Sequence, residues 1–134
     1  MAGIMVDTNV LIRYFKGDEP FSEAIESSDS VVMHPVVFAE FISGLDEKTA
    51  AGKAMRRSIE DFINVPLVSV VTVTMTTATC FAKIYRFLKS KGTMIPRNDI
   101  WLAASAIEYG YEIATHDEHF SYIPELRLTG CASR

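Results

Sequence analysis

Residues 4–15 read IMVDTNVLIRYF, a stretch in which three apolar residues lead directly into an aspartate. A short apolar run of this kind is typical of a buried strand. After Asp7, apolar side chains recur at helical spacing up to Gly17, at Val10, Leu11, Tyr14 and Phe15. The stretch therefore predicts a strand, a turn and a helix, with Asp7 at the carboxyl end of the strand.

The rest of the chain continues this alternation. Strand-like runs occupy residues 31–33, 67–71, 112–115 and 126–128. Helical periodicity covers 21–27, a segment opened by Pro35, 46–64 and most of 72–92. A further helix runs through Tyr109, with Asn98 as its predicted N-cap. Alternating strands and helices predict an α/β fold, with a short central parallel sheet flanked by helices, in a single domain over residues 1–134. Ligands of such sheets bind at the carboxyl ends of the strands.

The composition narrows the classes of protein to consider. With 134 residues, 49% of them hydrophobic, the chain is long enough for one buried core and too short for two ordinary domains. No apolar run approaches the roughly 20 residues of a membrane-spanning helix. No secretory leader is recognisable, so a cytoplasmic protein without membrane contact is expected. Cys80 and Cys131 lack C-x-x-C spacing and are assigned no chemistry.

The charge balance leaves two interpretations open. The 17 acidic and 13 basic residues give a net charge of −4, whereas proteins that bind nucleic acid are more often basic. The acidic excess could be local to a metal site. A basic segment could then form an edge beside that site, or it could simply be the solvated face of a helix. Its members are Lys83, Arg86, Lys89, Lys91 and Arg97.

Four acids stand where a site would need them, namely Asp7, Glu40, Asp99 and Asp117. The helix around Glu40 is apolar on nearly every side, so its carboxylate is expected to be buried and to need a cation, a proton or hydrogen bonds. Each acid also has an ordinary alternative as a helix cap, a first-turn acid, a structural ion pair or a loop residue. Four carboxylates in one crevice, however, require a counter-charge, which Mg²⁺ or Mn²⁺ would supply through oxygen ligands.

In order along the chain, four short motifs resemble those of the PIN-domain family and its VapC toxins. They are Asp7-Thr8-Asn9 with the following apolar run, Glu40-Phe41-x-x-Gly44, Pro96-x-x-Asp99 with Leu102-Ala103-Ala104, and Thr115-x-Asp117-x-x-Phe120. Each motif is weak alone, but the set in this order is a strong signal. Trp101 departs from the aliphatic residue expected beside the third acid.

The resemblance implies a PIN fold and a metal-dependent endoribonuclease that serves as the toxin of a toxin–antitoxin pair. It implies that Asp7, Glu40, Asp99 and Asp117 bind the Mg²⁺ or Mn²⁺ ions and carry the catalysis, and that a metal-activated water cleaves RNA to a 5′-phosphate and a 3′-hydroxyl. Thr8, Asn9 and Thr115 are expected to support the acidic cluster. The partners implied are an RNA substrate, a cognate VapB-like antitoxin and a second copy of the chain in a homodimer.

Two other interpretations are weighed against this one. His116 and His119 flank Asp117, but they lack the i, i+4 spacing of a zinc helix and are expected to be solvent-exposed, while His34 is expected to be structural. The alternative function is a non-catalytic α/β module that binds metal or RNA without cleavage. Helices over 21–27 and 46–64 are candidate surfaces for a partner protein.

Overall fold

A five-stranded parallel sheet forms the centre of the protein, and its strand order is β3-β2-β1-β4-β5. The structure is a computed structural model that describes residues 3–129. The strands are β1 (Ile4–Val6), β2 (Val31–Met33), β3 (Val68–Val70), β4 (Glu112–Ala114) and β5 (Arg127–Leu128). Met5 of β1 is paired with Val32 on one side and with Ile113 on the other. The carboxyl ends of β1 and β4 therefore lie side by side at one edge of the sheet.

Helices flank the sheet, as the sequence pattern predicts. They are α1 (Thr8–Lys16), α2 (Ser22–Ser27), α3 (Pro35–Ser43), α4 (Ala50–Phe62), α5 (Met75–Lys91) and α6 (Arg97–Tyr109), followed by a short 3₁₀ helix at Glu118–Tyr122. Their ends follow local rules. Thr74 and Thr77 form a reciprocal capping box at the start of α5, and Gly17, Gly92 and Gly110 end their helices with left-handed backbone. None of the helices in the described range is long and apolar enough to cross a bilayer.

The core lies between the sheet and the helices. Met5, Val6, Val32 and Ile113 are fully buried in the central strands. Aromatic contacts connect three helices, because the Phe15 ring of α1 lies edge-on to Phe41 of α3 at 5.7 Å and to Phe62 of α4 at 5.5 Å. His34 is also fully buried: its Nδ1 accepts from the Val36 amide at 3.0 Å, and its Nε2 lies 3.1 Å from the Ser105 hydroxyl. His34 is therefore structural, as predicted.

The structure corrects three expectations. Asn98 does not cap α6, because the helix begins at Arg97 after Pro96, and Asn98 lies within its first turn. Helix α4 begins at Ala50, because residues 46–49 form a turn whose Thr49 hydroxyl caps the Gly52 amide. Helix α3 is not buried on all sides, since only Val37 and Phe41 are buried and Glu40 is exposed. Cys80 is half-buried, and Cys131 lies outside the described residues.

Candidate active site

Asp7 follows β1 directly and serves as the N-cap of α1. One carboxylate oxygen, Oδ1, accepts from the Val10 amide at 2.9 Å, and the other, Oδ2, accepts from the Thr115 hydroxyl. The same Thr115 oxygen accepts from the Asp117 amide at 3.0 Å. Burial raises the pKa of Asp7 despite the hydrogen bonds from Thr115 and Val10. The ordinary role of a helix cap and a place in the acidic cluster are thus combined in one side chain.

Glu40 projects from α3 at the exposed side of the cluster. Its Oε1 accepts from the Thr8 hydroxyl at 2.6 Å, and its Oε2 accepts from the Asn98 side-chain amide at 3.1 Å. The expectation that this carboxylate is buried is wrong, because α3 is covered on only one side. Its position is instead set by donors from α1 and α6, which hold the carboxylate across three helices.

Asp99 lies in the first turn of α6, and Asp117 is the N-cap of the 3₁₀ helix. Burial, together with the negative charges of Asp117, Glu40 and Asp7, raises the pKa of Asp99 to about 6. Asp117 accepts from the His119 amide at 2.9 Å, and the exposed His119 ring lies 2.9 Å from the same oxygen. Burial and the neighbouring carboxylates therefore both oppose the negative charge of Asp99.

These four acids line one pocket of about 220 Å³ at the carboxyl edge of the sheet. Thr8, Asn9 and Leu102 complete its lining, while Thr115 lies behind Asp7. The structure thus brings together every acid that the sequence analysis selected, from the ends of β1 and β4 and from helices α3 and α6. Charge repulsion at Asp99 indicates a pocket built to hold positive charge.

The donor set fits a hard divalent cation, because its oxygens come from carboxylates, a hydroxyl and the Asn9 amide, with no thiolate. Across residues 3–129, no three His, Cys, Asp or Glu side chains are already arranged as ligands of a single ion. Mg²⁺ keeps several of its waters in proteins and reaches some carboxylates through them. A pocket of this volume, with the carboxylates spread around it, is consistent with that mode of binding.

Sequence reasoning missed the contacts that three residues make, namely Asn98, Glu19 and His116. Asn98 holds Glu40, as described above. The buried Glu19 carboxylate accepts from the Phe21 amide at 2.7 Å and lies 2.8 Å from the His116 ring, which stacks on Phe21 at 4.5 Å. His116 and His119 are both exposed, as expected, although the His116 side chain is only 35% exposed and contacts Glu19 as well as solvent. This contact joins residues 97 positions apart, and no local pattern signals it.

Comparison with known proteins gives a consistent result. The PIN domain family profile matches residues 4–126. Ribonuclease VapC1 of Methanocaldococcus jannaschii is 30% identical over 128 residues, covering 93% of this chain and 84% of that protein. Ribonuclease VapC of Rickettsia bellii is 30% identical over 129 residues, covering 94% of each.

Solved structures agree with this result. A chain in the DNA-bound VapBC structure from Salmonella typhimurium superposes with a TM-score of 0.81 at 25% identity, covering 96% of this chain and 97% of that one. A chain of VapBC-1 from Haemophilus influenzae gives 0.77 at 27% identity, covering 93% and 95%. The α/β fold predicted from the sequence is confirmed.

Proposed function

Because this chain belongs to the PIN domain family, we propose that it is a VapC-type endoribonuclease, the toxin of a toxin–antitoxin pair. The observation that carries the proposal is the single pocket in which Asp7, Glu40, Asp99 and Asp117 converge. A non-catalytic scaffold does not need four converging carboxylates, because their mutual repulsion disfavours the folded state. The proposal places the activity in the cytoplasm, where RNA is the substrate.

We propose Mg²⁺ or Mn²⁺ as the cofactor, held by these same four carboxylates. When bound, the ion supplies positive charge that makes water a better nucleophile and stabilises charge developing on the phosphate. The water oxygen bonds to phosphorus and gives up one proton to solvent as the bond from phosphorus to the 3′ oxygen breaks, and that oxygen takes up one proton from solvent. The products are a 5′-phosphate and a 3′-hydroxyl.

The chain's own residues orient the carboxylates for this reaction. Thr115 and the Val10 amide fix both oxygens of Asp7, and Thr8 and Asn98 fix both oxygens of Glu40. These hydrogen bonds limit rotation of the side chains, so little ordering remains to be done when substrate binds. Asp99 must be ionised to serve as a ligand, and because its pKa is raised to about 6, protons compete with the metal for this carboxylate below that pH.

The proposed antitoxin site is an apolar groove of about 320 Å³ between α1, α3 and α4. Ile12, Phe41, Leu45 and Met55 line it, and Glu40 lines both this groove and the carboxylate pocket. An apolar antitoxin segment in this groove would lie at the mouth of the carboxylate pocket and obstruct it. The known VapBC structures similar to this chain support an antitoxin partner. A homodimer is proposed on the family resemblance alone.

The decisive experiment is cleavage of total cellular RNA by antitoxin-free protein with Mg²⁺, with Mn²⁺ or with EDTA. Asp99→Asn and the matched control Asp61→Asn, on the exposed surface of α4, are run in parallel. We expect discrete, metal-dependent fragments from the wild type and the control, and none from Asp99→Asn. Binding of RNA without cleavage under any metal would favour the non-catalytic module, and equal cleavage by Asp99→Asn would refute the assigned site.

A further inference from the structure

A stretch of the chain that is basic and free of acids leads up to Asp99 of the candidate active site. No acid occurs between Asp61 and Asp99, and the intervening residues carry five of the 13 basic side chains. Four of the five lie on α5, and the fifth, Arg97, begins α6. The remainder of the chain holds all 17 acids and eight basic residues. Helix α5 and the first residue of α6 therefore carry a run of basic side chains with no acid among them.

Aromatic rings lie among these cations. The Arg97 guanidinium lies 5.5 Å from the centre of the Tyr85 ring, and the centres of the Phe81 and Trp101 rings lie 4.4 Å apart. Phe81, Ala82, Tyr85, Arg86 and Arg97 line a shallow depression of about 370 Å³, which we call the aromatic–arginine face. Its lining contains no acid, and within residues 3–129 neither arginine has a carboxylate within 4.0 Å. Both guanidinium groups are therefore free to bind an anion.

The first turn of α6 connects the face to the carboxylate pocket, because it carries Arg97 of the one and Asp99 of the other. Arg97 precedes Asp99 by two residues on α6, so the two side chains leave opposite sides of one helix turn, roughly 10 Å apart across the helix. Between them, Asn98 reaches Glu40. An extended polymer whose phosphate lies in the pocket can therefore continue over the first turn of α6 onto the aromatic–arginine face.

From this arrangement we infer that the aromatic–arginine face binds single-stranded RNA next to the scissile phosphate. Tyr85 and Phe81 provide surfaces on which bases can stack, and Arg86 and Arg97 provide phosphate contacts. The inference rests on the proposed ribonuclease function and names where its substrate is held. Positive charge here also offsets the repulsion between RNA and an acidic pocket.

A second copy of the chain fits this face less well than RNA does. A two-fold interface places the same patch of both copies together, so the arginines of one copy would meet those of the other. Such an interface would bring like charges together without any acid in the lining to compensate. A polyanion such as RNA pairs with the same arginines without bringing like charges together.

The test is RNA binding measured without turnover. Fluorescence anisotropy with a labelled single-stranded RNA of about 12 nucleotides, in EDTA, is recorded across a salt series for wild type and the double variant Arg86→Gln/Arg97→Gln. The matched control, Lys53→Gln/Arg57→Gln, removes two exposed charges from α4. We expect the face variant to bind about tenfold more weakly, with the slope of log K against log salt reduced by about 1.4, at about 0.7 per phosphate. The control should match the wild type.

Tyr85→Leu separates stacking from charge, because it keeps an apolar side chain and leaves the net charge unchanged. We expect it to weaken RNA binding about tenfold with the salt slope retained. Equal binding and equal salt slopes for wild type and both face variants would overturn the inference. Dissociation of a wild-type dimer by Tyr85→Leu, with RNA affinity unchanged, would also overturn it and assign the face to a second copy.

The two proposals can fail separately. Loss of RNA binding in the face variants, in a wild type that never cleaves RNA, would sustain this inference and refute the nuclease. Metal-dependent cleavage by a wild type whose RNA binding ignores both face variants would sustain the nuclease and refute this inference.

Discussion

The Asp99→Asn substitution is expected to stabilise the metal-free protein while abolishing cleavage. In the folded chain, burial and the charges of Asp117, Glu40 and Asp7 raise the pKa of Asp99 from 3.8 to about 6. Because the folded state holds this proton more tightly than the unfolded chain, the contribution to stability is full below pH 3.8 and is lost as the pH rises through 6. At about 1.36 kcal/mol per pH unit, ionising Asp99 costs the fold about 3 kcal/mol at pH 7.5.

Urea unfolding in EDTA measures this cost. Asn has nearly the shape of Asp and carries no charge, so the variant should exceed the wild type by up to about 3 kcal/mol at pH 7.5 and by about 1 kcal/mol at pH 4.5. Asp61→Asn, an exposed position on α4, is the control and should show no comparable gain. A variant no more stable than wild type at pH 7.5, or a gain that does not shrink in acid, would refute the electrostatic reasoning.

Metal should close most of this gap in stability. A ligand at about 100 times its Kd stabilises the folded state by about 2.7 kcal/mol. Saturating Mn²⁺ should therefore raise the unfolding free energy of the wild type and leave Asp99→Asn nearly unchanged, because the variant has lost a carboxylate ligand. Equal stabilisation of both proteins would remove Asp99 from the metal site.

Three further predictions follow from the residues around the pocket. Thr115→Val removes the hydroxyl that donates to Asp7, and cleavage should fall about 10–100-fold with the circular dichroism spectrum unchanged; a wild-type rate would contradict a supporting role. Glu19→Gln breaks the buried contact with His116, so urea unfolding should show a loss of about 1–3 kcal/mol, and an unchanged midpoint would contradict it. At limiting Mg²⁺, the cleavage rate should fall about tenfold per pH unit below pH 6, because protons compete with metal at Asp99. Saturating Mg²⁺ should move that fall to lower pH. A flat pH profile would argue against this competition.

Much of the fold can be predicted from the sequence, because the signals that set the boundaries of its elements are local. The apolar run before Asp7, Pro35 at the first position of α3 and Gly110 at the end of α6 each set a boundary through backbone chemistry. The parallel sheet then followed from the alternation of elements. The convergence of four acids was predictable in outline, because strand ends in such a sheet share one edge.

The features that the sequence did not predict depend on contacts between distant parts of the chain. The apolar pattern around Glu40 shows which side chains are hydrophobic. It does not show which of them other elements cover, so the expectation that the carboxylate is buried is wrong. Asn98 resembles a cap by residue type, yet its amide is used on Glu40 of another helix. The Glu19–His116 contact forms only when the loop before α2 meets the loop after β4, and no sequence pattern at either residue predicts it.

The double use of Asp7 affects how such a gene can lose its activity by mutation. Asp7 caps α1 and accepts a hydrogen bond from Thr115, so replacing it would remove a structural support together with a proposed metal ligand. Asp99 has the opposite character, because its charge works against the fold. In a population selected for survival of an unrestrained toxin, substitutions at Asp99 would leave an inert, abundant protein still able to occupy antitoxin, whereas those at Asp7 would deplete the protein itself. The two kinds of surviving lineage would therefore differ in how much free antitoxin remains to them.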